Sequence, residues 1–231
     1  MEQFVTWLVA FMVTMAPPGR PQYIEAAKET KEDAMARYEA IARDVAQVVV
    51  VEKPLFRGPE GRAKTASVVL SVMLWESGFR KDVDLGLGKL ARGDHGRSAC
   101  LMQLNVGKGR TLKWNTQEDR LPKWGDPPES IHQGWTAEEL LANRQTCVLA
   151  GLRTLRMSFG ACGRLPATEW LRAYASGSCE AGSKESRIRM GTALQWYSSN
   201  RPDFKDVDLL PSPAPNPTPD PATAPLVALN P

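Results

Sequence analysis

The feature that most constrains the fold of this chain is a long run of small and apolar residues that ends in WESG. Residues 60–77 are rich in Ala, Val and Leu, and Gly78 follows as a typical helix stop. The pattern predicts a helix over residues 60–77 that buries Val68, Val69, Leu70, Val72, Met73 and Leu74. An acidic residue, Glu76, stands at the end of this buried helix, between Trp75 and the stop at Gly78.

The position of Glu76 has chemical consequences. Desolvation by the apolar turns before it and the negative end of the helix dipole both raise the pKa of its carboxyl group. A carboxyl that stays protonated near neutral pH can deliver a proton to a leaving oxygen, as the general acid does in glycoside cleavage. Taken alone, a partly exposed glutamate without any role is the more common reading of such a helix end.

Three short sequence segments, taken in their order along the chain, strengthen the interpretation of Glu76 as a catalytic residue. ESGF at Glu76–Phe79 is followed by GDHGRSACLMQLN at Gly93–Asn105 and by AYASG at Ala173–Gly177. Together they resemble the lysozyme-like lytic transglycosylases (SLT domains) and the related goose-type lysozymes. That family has Glu-Ser at a helix end, then a Gly-rich segment leading to Gly-Leu-Met-Gln, and later Ala-Tyr-Asn-Ala-Gly. The resemblance covers about residues 60–198.

The resemblance implies roles for these residues. Glu76 resembles the catalytic acid and base, Gln103 the glutamine that borders the sugar-binding cleft, and Tyr174 the tyrosine that positions substrate or the catalytic carboxyl. Asp94 resembles the acid in the Gly-Asp segment of goose-type enzymes, for which we expect a supporting role. The full set of substrate-binding residues that the resemblance implies is Ser77, Asp94, Ser98, Met102, Gln103, Asn105 and Tyr174.

The sequence departs from the family pattern at three positions. Cys100 replaces the usual Gly, Ala175 replaces the Asn of Ala-Tyr-Asn, and Asn105 stands where some goose-type lysozymes have a second aspartate. A hydrolase usually needs a second carboxylate, whereas a lytic transglycosylase needs one, because the sugar's own C6 hydroxyl attacks. We therefore favour transglycosylation over hydrolysis with Asp94 as second acid. Asp82 and Asp84 are further candidates for a second acid, but we interpret them as a solvated turn.

The remaining pattern predicts an α+β protein, mainly α, with a lysozyme-like fold and a small β-sheet beside the active-site cleft. A mostly apolar stripe with a seven-residue repeat predicts a helix over residues 22–51, and SACLMQLNV is the best strand candidate. Thr136 and Glu139 form a capping box for one long helix within residues 134–160. Further helices are predicted in LPATEWLRAYASG, ended by Gly177, and over residues 183–199.

The chain divides into four parts by composition. Residues 1–21 hold an apolar run that ends in Thr-Met-Ala; we favour a secretory signal, with a membrane-surface anchor or a core helix as alternatives. Residues 22–59 are an N-terminal helix and loop, residues 60–200 the lysozyme-like transglycosylase domain, and residues 201–231 a Pro-rich tail. The tail sequence PSPAPNPTPDPATAP is typical of an extended or disordered linker.

Cysteine and charge content bound the location and the partners. The chain has 231 residues, four cysteines and a net charge of +3. An even cysteine count permits two disulfides, with Cys179 paired to Cys147 or Cys162, and an extracytoplasmic (periplasmic or secreted) location; free thiols are the alternative. The basic residues form no nucleic-acid patch. We expect peptidoglycan glycan strands as the partner, a monomer, and neither metal nor organic cofactor.

Two further features stay open. Trp114, Trp124 and Trp135 lie in a polar connecting region, where aromatic faces can stack on sugars or pack in the core. His95 and His132 are predicted to be surface residues without a catalytic role. The rival to an enzyme is a non-catalytic glycan-binding or structural module, associated with a secretion system or a phage particle.

Overall fold

The computed structural model describes residues 1–19, 27–107 and 134–210. This part of the chain is mainly helical with one small antiparallel sheet, as the α+β prediction requires. The elements in chain order are α1 Glu2–Met15, α2 Lys31–Val51, α3 Gly61–Ser77, α4 Lys81–Asp84, β1 Ser98–Ala99, β2 Leu104–Asn105, α5 Ala137–Ala142, α6 Arg144–Cys162, α7 Arg172–Ser176, α8 Ser183–Ser199 and α9 Asp206–Leu209.

Helix α3 is the centre of the core, which confirms the helix predicted over residues 60–77. It packs against α1, α2, α6 and α8, and its apolar residues from Ala63 to Met73 are buried. Its small polar side chains are buried too, and they are satisfied by backbone carbonyls: the hydroxyl of Ser67 donates to Ala63 O at 3.0 Å. Gly78 ends the helix in the left-handed conformation, with φ of 60°.

The apolar N-terminal run is a core helix in this structure. Phe4, Leu8, Phe11 and Met12 of α1 are fully buried in the same core as α3, so of the three alternatives the core helix is the one the fold adopts. No helix among the described residues is long and apolar enough to cross a membrane. Residues 201–210, assigned to the tail by composition, also pack on the core through Phe204 and Leu209.

Helix α2 begins later than predicted. It starts at Lys31 instead of residue 22, because Thr30 and Asp33 form a capping box in which the Thr30 hydroxyl accepts from Asp33 N at 3.0 Å. The predicted stripe is otherwise correct, since Tyr38, Ile41 and Val45 are buried. Residues 20–26 lie outside the described part of the chain.

The predicted strand SACLMQLNV is a hairpin. Ser98 pairs with Asn105 and Ala99 with Leu104, and residues 100–103 make the turn between them. A single strand was wrong because Cys100 and Gln103 adopt positive φ values of 62° and 46°, which reverse the chain.

The long helix predicted within residues 134–160 is two helices. The capping box of Thr136 and Glu139 is confirmed at the start of α5. The chain then breaks at Asn143, whose side-chain oxygen caps α6 by accepting from Gln145 N at 2.8 Å. LPATEWLRAYASG likewise forms a 3₁₀ turn, Ala167–Glu169, followed by the short α7, which Gly177 ends as predicted.

Asp82 and Asp84 are not the solvated turn that was predicted. Both residues are buried. Arg80 donates to both carboxylate oxygens of Asp82, each at 3.1 Å, and Arg144 to both of Asp84, each at 2.9 Å. Arg144 also reaches Asp44 at 2.7 Å, so this ion-pair network joins α2, α4 and α6. For Asp84 the prediction failed because its partner Arg144 lies 60 residues further along the chain. For Asp82 the partner Arg80 is a near neighbour, and what the sequence did not show is that Asp82 is buried.

Candidate active site

Glu76 lies in the last turn of α3, one turn beyond the fully buried Met73. Its side chain is 19% exposed, so the carboxyl group is largely withdrawn from water but still accessible. The neighbouring Trp75 is 51% exposed, and its indole N–H donates to the Thr192 hydroxyl of α8 at 3.1 Å. The end of α3 is thereby fixed against α8.

The carboxylate of Glu76 is paired with Arg189 of α8. Arg189 Nη2 donates to Glu76 Oε1 at 2.7 Å. Desolvation by burial raises the pKa of Glu76, the arginine opposes this effect by stabilising the charged form, and the negative charge of Asp94 raises the pKa further. The net direction is upward, because burial is the largest of these influences. This is the direction that a general acid needs.

Asp94 belongs to the segment that leads into the hairpin, and its charge acts on Glu76. It stands in the 3₁₀ turn Asp94–Gly96 with a positive φ of 50°, and its carboxylate accepts from the Ser98 hydroxyl at 2.9 Å. Ser98 is itself buried at the start of β1, so it fixes the direction of Asp94. Asp94 acts on Glu76 through its charge. His95, next in the chain, is exposed, as predicted.

The side-chain amide of Gln103 makes its hydrogen bonds to the backbone of the hairpin and of the loop before it. Its Oε1 accepts from Gly93 N at 2.7 Å, while its Nε2 donates to Ala91 O at 3.2 Å and to Cys100 O at 3.1 Å. A Cβ at Gly93 would lie 2.5 Å from Gln103 Oε1, so a larger residue here would displace the Gln103 amide. Both N–H donors of the amide are therefore committed to the loop, and Gln103 shapes the segment that carries Asp94.

Tyr174 joins the third segment to the second. Its hydroxyl donates to Met102 O at 2.6 Å, and its backbone N donates to the Ser158 hydroxyl at 3.0 Å. Burial raises the pKa of Tyr174 well above its usual range, and the nearby negative charge of Glu76 adds to this effect. The neutral hydroxyl thus lies within electrostatic reach of both Glu76 and Arg189.

The other residues predicted for the site take supporting positions. The Ser77 hydroxyl is buried and donates to Met73 O at 2.7 Å. Met102 is fully buried against α6, where a Cβ on Gly151 would lie 2.0 Å from its sulfur. Asn105 is exposed at the edge of the hairpin. Ser77 and Met102 therefore hold backbone in place, and neither offers a free polar group.

Two disulfides fix the second and third segments to the same helix. Cys100 is bonded to Cys147 and Cys162 to Cys179, and no cysteine is free. The first joins the hairpin turn to α6, and the second joins the end of α6 to the chain just after α7. The prediction of a bridge that includes Cys179 is confirmed, and its partner is Cys162.

Arg189 is the residue that sequence reasoning missed. It lies on α8, 113 residues after Glu76, outside the three recognised segments. The available signal was weak: SRIRMGTALQWY places an arginine beside the apolar Met190, which is fully buried. A cation next to a core position in a predicted helix needs a buried anion nearby, and Glu76 was the candidate.

The remaining sequence predictions concern the tryptophans, His132, the tail and metal binding. Trp135 packs partly buried against the core. Trp114, Trp124 and His132 lie outside the described residues, as does the tail from residue 211. Within the described ranges no three His, Cys, Asp or Glu side chains come together as metal ligands.

Comparison with known proteins gave no relatives. No family model, no curated protein and no solved structure matches the chain. The site is therefore interpreted from its own geometry and from the resemblance of the three segments.

Proposed function

We propose that the protein is a peptidoglycan-cleaving lytic transglycosylase that uses Glu76 as its single catalytic acid and base. The observation that carries the proposal is a largely buried carboxyl group, with its pKa raised, at the point where the three family-like segments meet. The bond cleaved would be the β-1,4 bond between N-acetylmuramic acid and N-acetylglucosamine. The lysozyme-like fold is part of this proposal.

The chemistry follows from one carboxyl group. Protonated Glu76 gives its proton to the glycosidic oxygen as the C1–O bond breaks, and the departing sugar leaves as an alcohol. The carboxylate then takes the proton of the C6 hydroxyl, whose oxygen bonds to C1 and closes a 1,6-anhydro ring. Glu76 is protonated again by the proton of the C6 hydroxyl, while its first proton leaves with the alcohol, so the reaction needs no water. Arg189 supports the middle of this cycle because it stabilises the carboxylate form at 2.7 Å.

Asp94 acts on Glu76 through its negative charge, and Tyr174 lies near Glu76 as a neutral hydroxyl. Asp94 increases the proton affinity of Glu76 and so favours the acid form. The hydroxyl of Tyr174 stays neutral, so it adds no second negative charge beside the acid. In this proposal both are positioning residues.

Asp94 also supports a second candidate function, hydrolysis by a muramidase. Its carboxylate is oriented by Ser98, and its negative charge acts on Glu76. A second carboxylate on the segment that leads into the hairpin could direct a water molecule. The product decides between the two reactions: a 1,6-anhydro end indicates transglycosylation, and a free reducing end indicates hydrolysis.

The two disulfides support a location outside the cytoplasm, because such bonds persist in oxidising compartments. Within the proposal the protein works in the periplasm or after secretion, where peptidoglycan is found.

The test is Glu76→Gln assayed on purified peptidoglycan, with products identified by mass spectrometry. Gln keeps the shape of the side chain and removes the transferable proton, so we expect activity to fall at least about a hundredfold. Arg187→Met is the matched control, since it changes a charged residue of α8 that pairs with Glu169 instead of Glu76. Full activity of Glu76→Gln would refute the proposal, and binding without turnover by the unaltered protein would favour a non-catalytic module.

A further inference from the structure

The guanidinium of Arg189 has unused hydrogen-bond donors at the candidate site. Among the described residues its side chain makes one hydrogen bond, from Nη2 to Glu76 Oε1, and its Nε is buried without a partner. The side chain is only 12% exposed. An arginine has five N–H donors in a planar fork, so most of this fork is free.

Two other largely buried arginines of the described chain, Arg144 and Arg37, make more side-chain hydrogen bonds than Arg189. Arg144 donates three hydrogen bonds to the carboxylates of Asp84 and Asp44. Arg37 makes two hydrogen bonds to Glu29 and one to a backbone carbonyl. Compared with Arg37 and Arg144, Arg189 is a largely buried cation held by a single side-chain hydrogen bond to a single acid.

In the proposed catalytic cycle, Arg189 also loses the negative charge that is paired with it. When Glu76 is protonated, as the acid step requires, its charge is lost and Arg189 loses its ion-pair partner among the described residues. A largely buried guanidinium without a paired anion is unfavourable. Asp94 does not take over this role, because no hydrogen bond or ion pair joins it to Arg189 among the described residues, and its carboxylate is held by Ser98. The acid-competent state thus lacks one negative charge beside Arg189.

We infer that Arg189 binds a carboxylate of the substrate, so that the site selects glycan strands whose stem peptides carry free carboxylates. The substrate supplies the anion that the protonated Glu76 no longer provides, and it occupies the free side of the guanidinium fork. Neutral strands leave the cation uncompensated. The inference rests on the proposed function, because it names the substrate class of that same site.

Binding measurements in an inert background test the inference separately from catalysis. Glu76→Gln imitates the protonated acid, so it leaves Arg189 without its anion and the substrate uncut. The ligands are soluble glycan-strand fragments with free stem-peptide carboxylates and the same fragments after amidation. By calorimetry we expect the free-carboxylate fragments to bind Glu76→Gln at least about tenfold more tightly, the effect of one charge-assisted contact.

Variants of the cation provide the controls. Adding Arg189→Met should abolish the preference, whereas adding Arg187→Met, two residues earlier on α8, should leave it unchanged. Arg189→Lys keeps the charge but loses the fork, and it should retain part of the preference, which also guards against a folding defect in the methionine variant. Equal affinities in Glu76→Gln, a preference that survives Arg189→Met, or no binding of either ligand would each overturn the inference.

The outcome is distinguishable from failure of the proposed function. If Glu76→Gln still cleaves peptidoglycan, the function is wrong while the ligand preference remains a valid measurement. If Glu76→Gln is inert and shows no preference, Glu76 keeps its role and the inference about Arg189 falls.

Discussion

At the scale of single residues, the properties of Glu76 come from opposing influences. Burial and Asp94 favour the protonated form, while Arg189 favours the carboxylate. The sequence predicted the burial, because the apolar turns before Glu76 are local. It did not predict Arg189, whose contact depends on how α8 packs against α3. A local pattern can therefore identify a candidate acid, but its electrostatic partners depend on the tertiary structure.

The raised pKa of Glu76 predicts a pH dependence of stability. Between the ordinary value of 4.5 and the higher folded pKa, the folded chain binds more protons than the unfolded chain. The contribution of Glu76 to the free energy of unfolding should therefore be largest at low pH and fall as the pH rises through this window. Under the proposed function, in which Glu76 is the general acid, activity should decline at the upper end of the same window as Glu76 loses its proton.

The measurement is denaturant unfolding of the unaltered protein and of Glu76→Gln across this pH range. The difference between the two isolates Glu76, because groups with lowered pKa values such as Glu2 and Glu169 are present in both proteins. A difference that grows in favour of the unaltered protein as the pH rises would show that the Arg189 ion pair dominates over burial.

At the scale of elements, the sequence predicted which segments exist better than where they end or turn. The capping box at Thr136 and the stop at Gly78 were readable because they are made by neighbouring residues. The hairpin was not, because its turn uses left-handed Cys100 and Gln103, residue types that seldom adopt this conformation. Its stability depends on the amide of Gln103 and on the bond from Cys100 to α6, which are contacts made only after folding.

The two disulfides give an element-scale prediction, because each ties one site segment to α6. Replacing Cys162 and Cys179 by serine should reduce the free energy of unfolding by about 3 kcal/mol, and replacing Cys100 and Cys147 by about 4 kcal/mol, in the chain-entropy model. The sequence separations of 17 and 47 residues set this order. Loss of the bridge between Cys162 and Cys179 should loosen α7, which carries Tyr174. Under the proposed function, the weaker positioning of Tyr174 should lower activity.

Denaturant unfolding and activity assays of both double-serine variants measure the predicted losses of stability and activity. Neither bridge has a cysteine on α3, which carries Glu76. Under the proposed function, peptidoglycan cleavage should therefore be weakened in both variants without being abolished. Unchanged stability of both variants, or four free thiols in the unreduced protein, would contradict the pairing.

At the scale of the whole molecule, the main difference from the sequence prediction lies at the N-terminus. The apolar run of α1 was compatible with a signal, an anchor or a core helix, because all three share the same composition. The structure uses it as core: Phe4, Leu8 and Phe11 are fully buried, and the aromatic rings of Phe4 and Phe204 bring the two ends of the described chain together at 5.3 Å. Composition alone could not decide this, because the partner of Phe4 lies 200 residues away.

Paired truncations test this arrangement. A chain that begins at Pro17 loses Phe4, Leu8, Phe11 and Met12, each fully buried. At about 1.5–3 kcal/mol for each buried side chain, the loss is about 6–12 kcal/mol. This is comparable to the whole stability of a typical domain, about 5–15 kcal/mol, so the shortened chain should show no cooperative thermal unfolding. The same α1 side chains cannot be both a removable signal and the core of the mature fold.

The control for this truncation is a chain that ends at Leu210. It lacks the Pro-rich residues 211–231, whose composition has too little apolar content for a core. It should keep the melting temperature of the full chain and, under the proposed function, its activity on peptidoglycan. If instead the chain beginning at Pro17 melts cooperatively and cleaves peptidoglycan, α1 is dispensable and the export signal becomes the better interpretation.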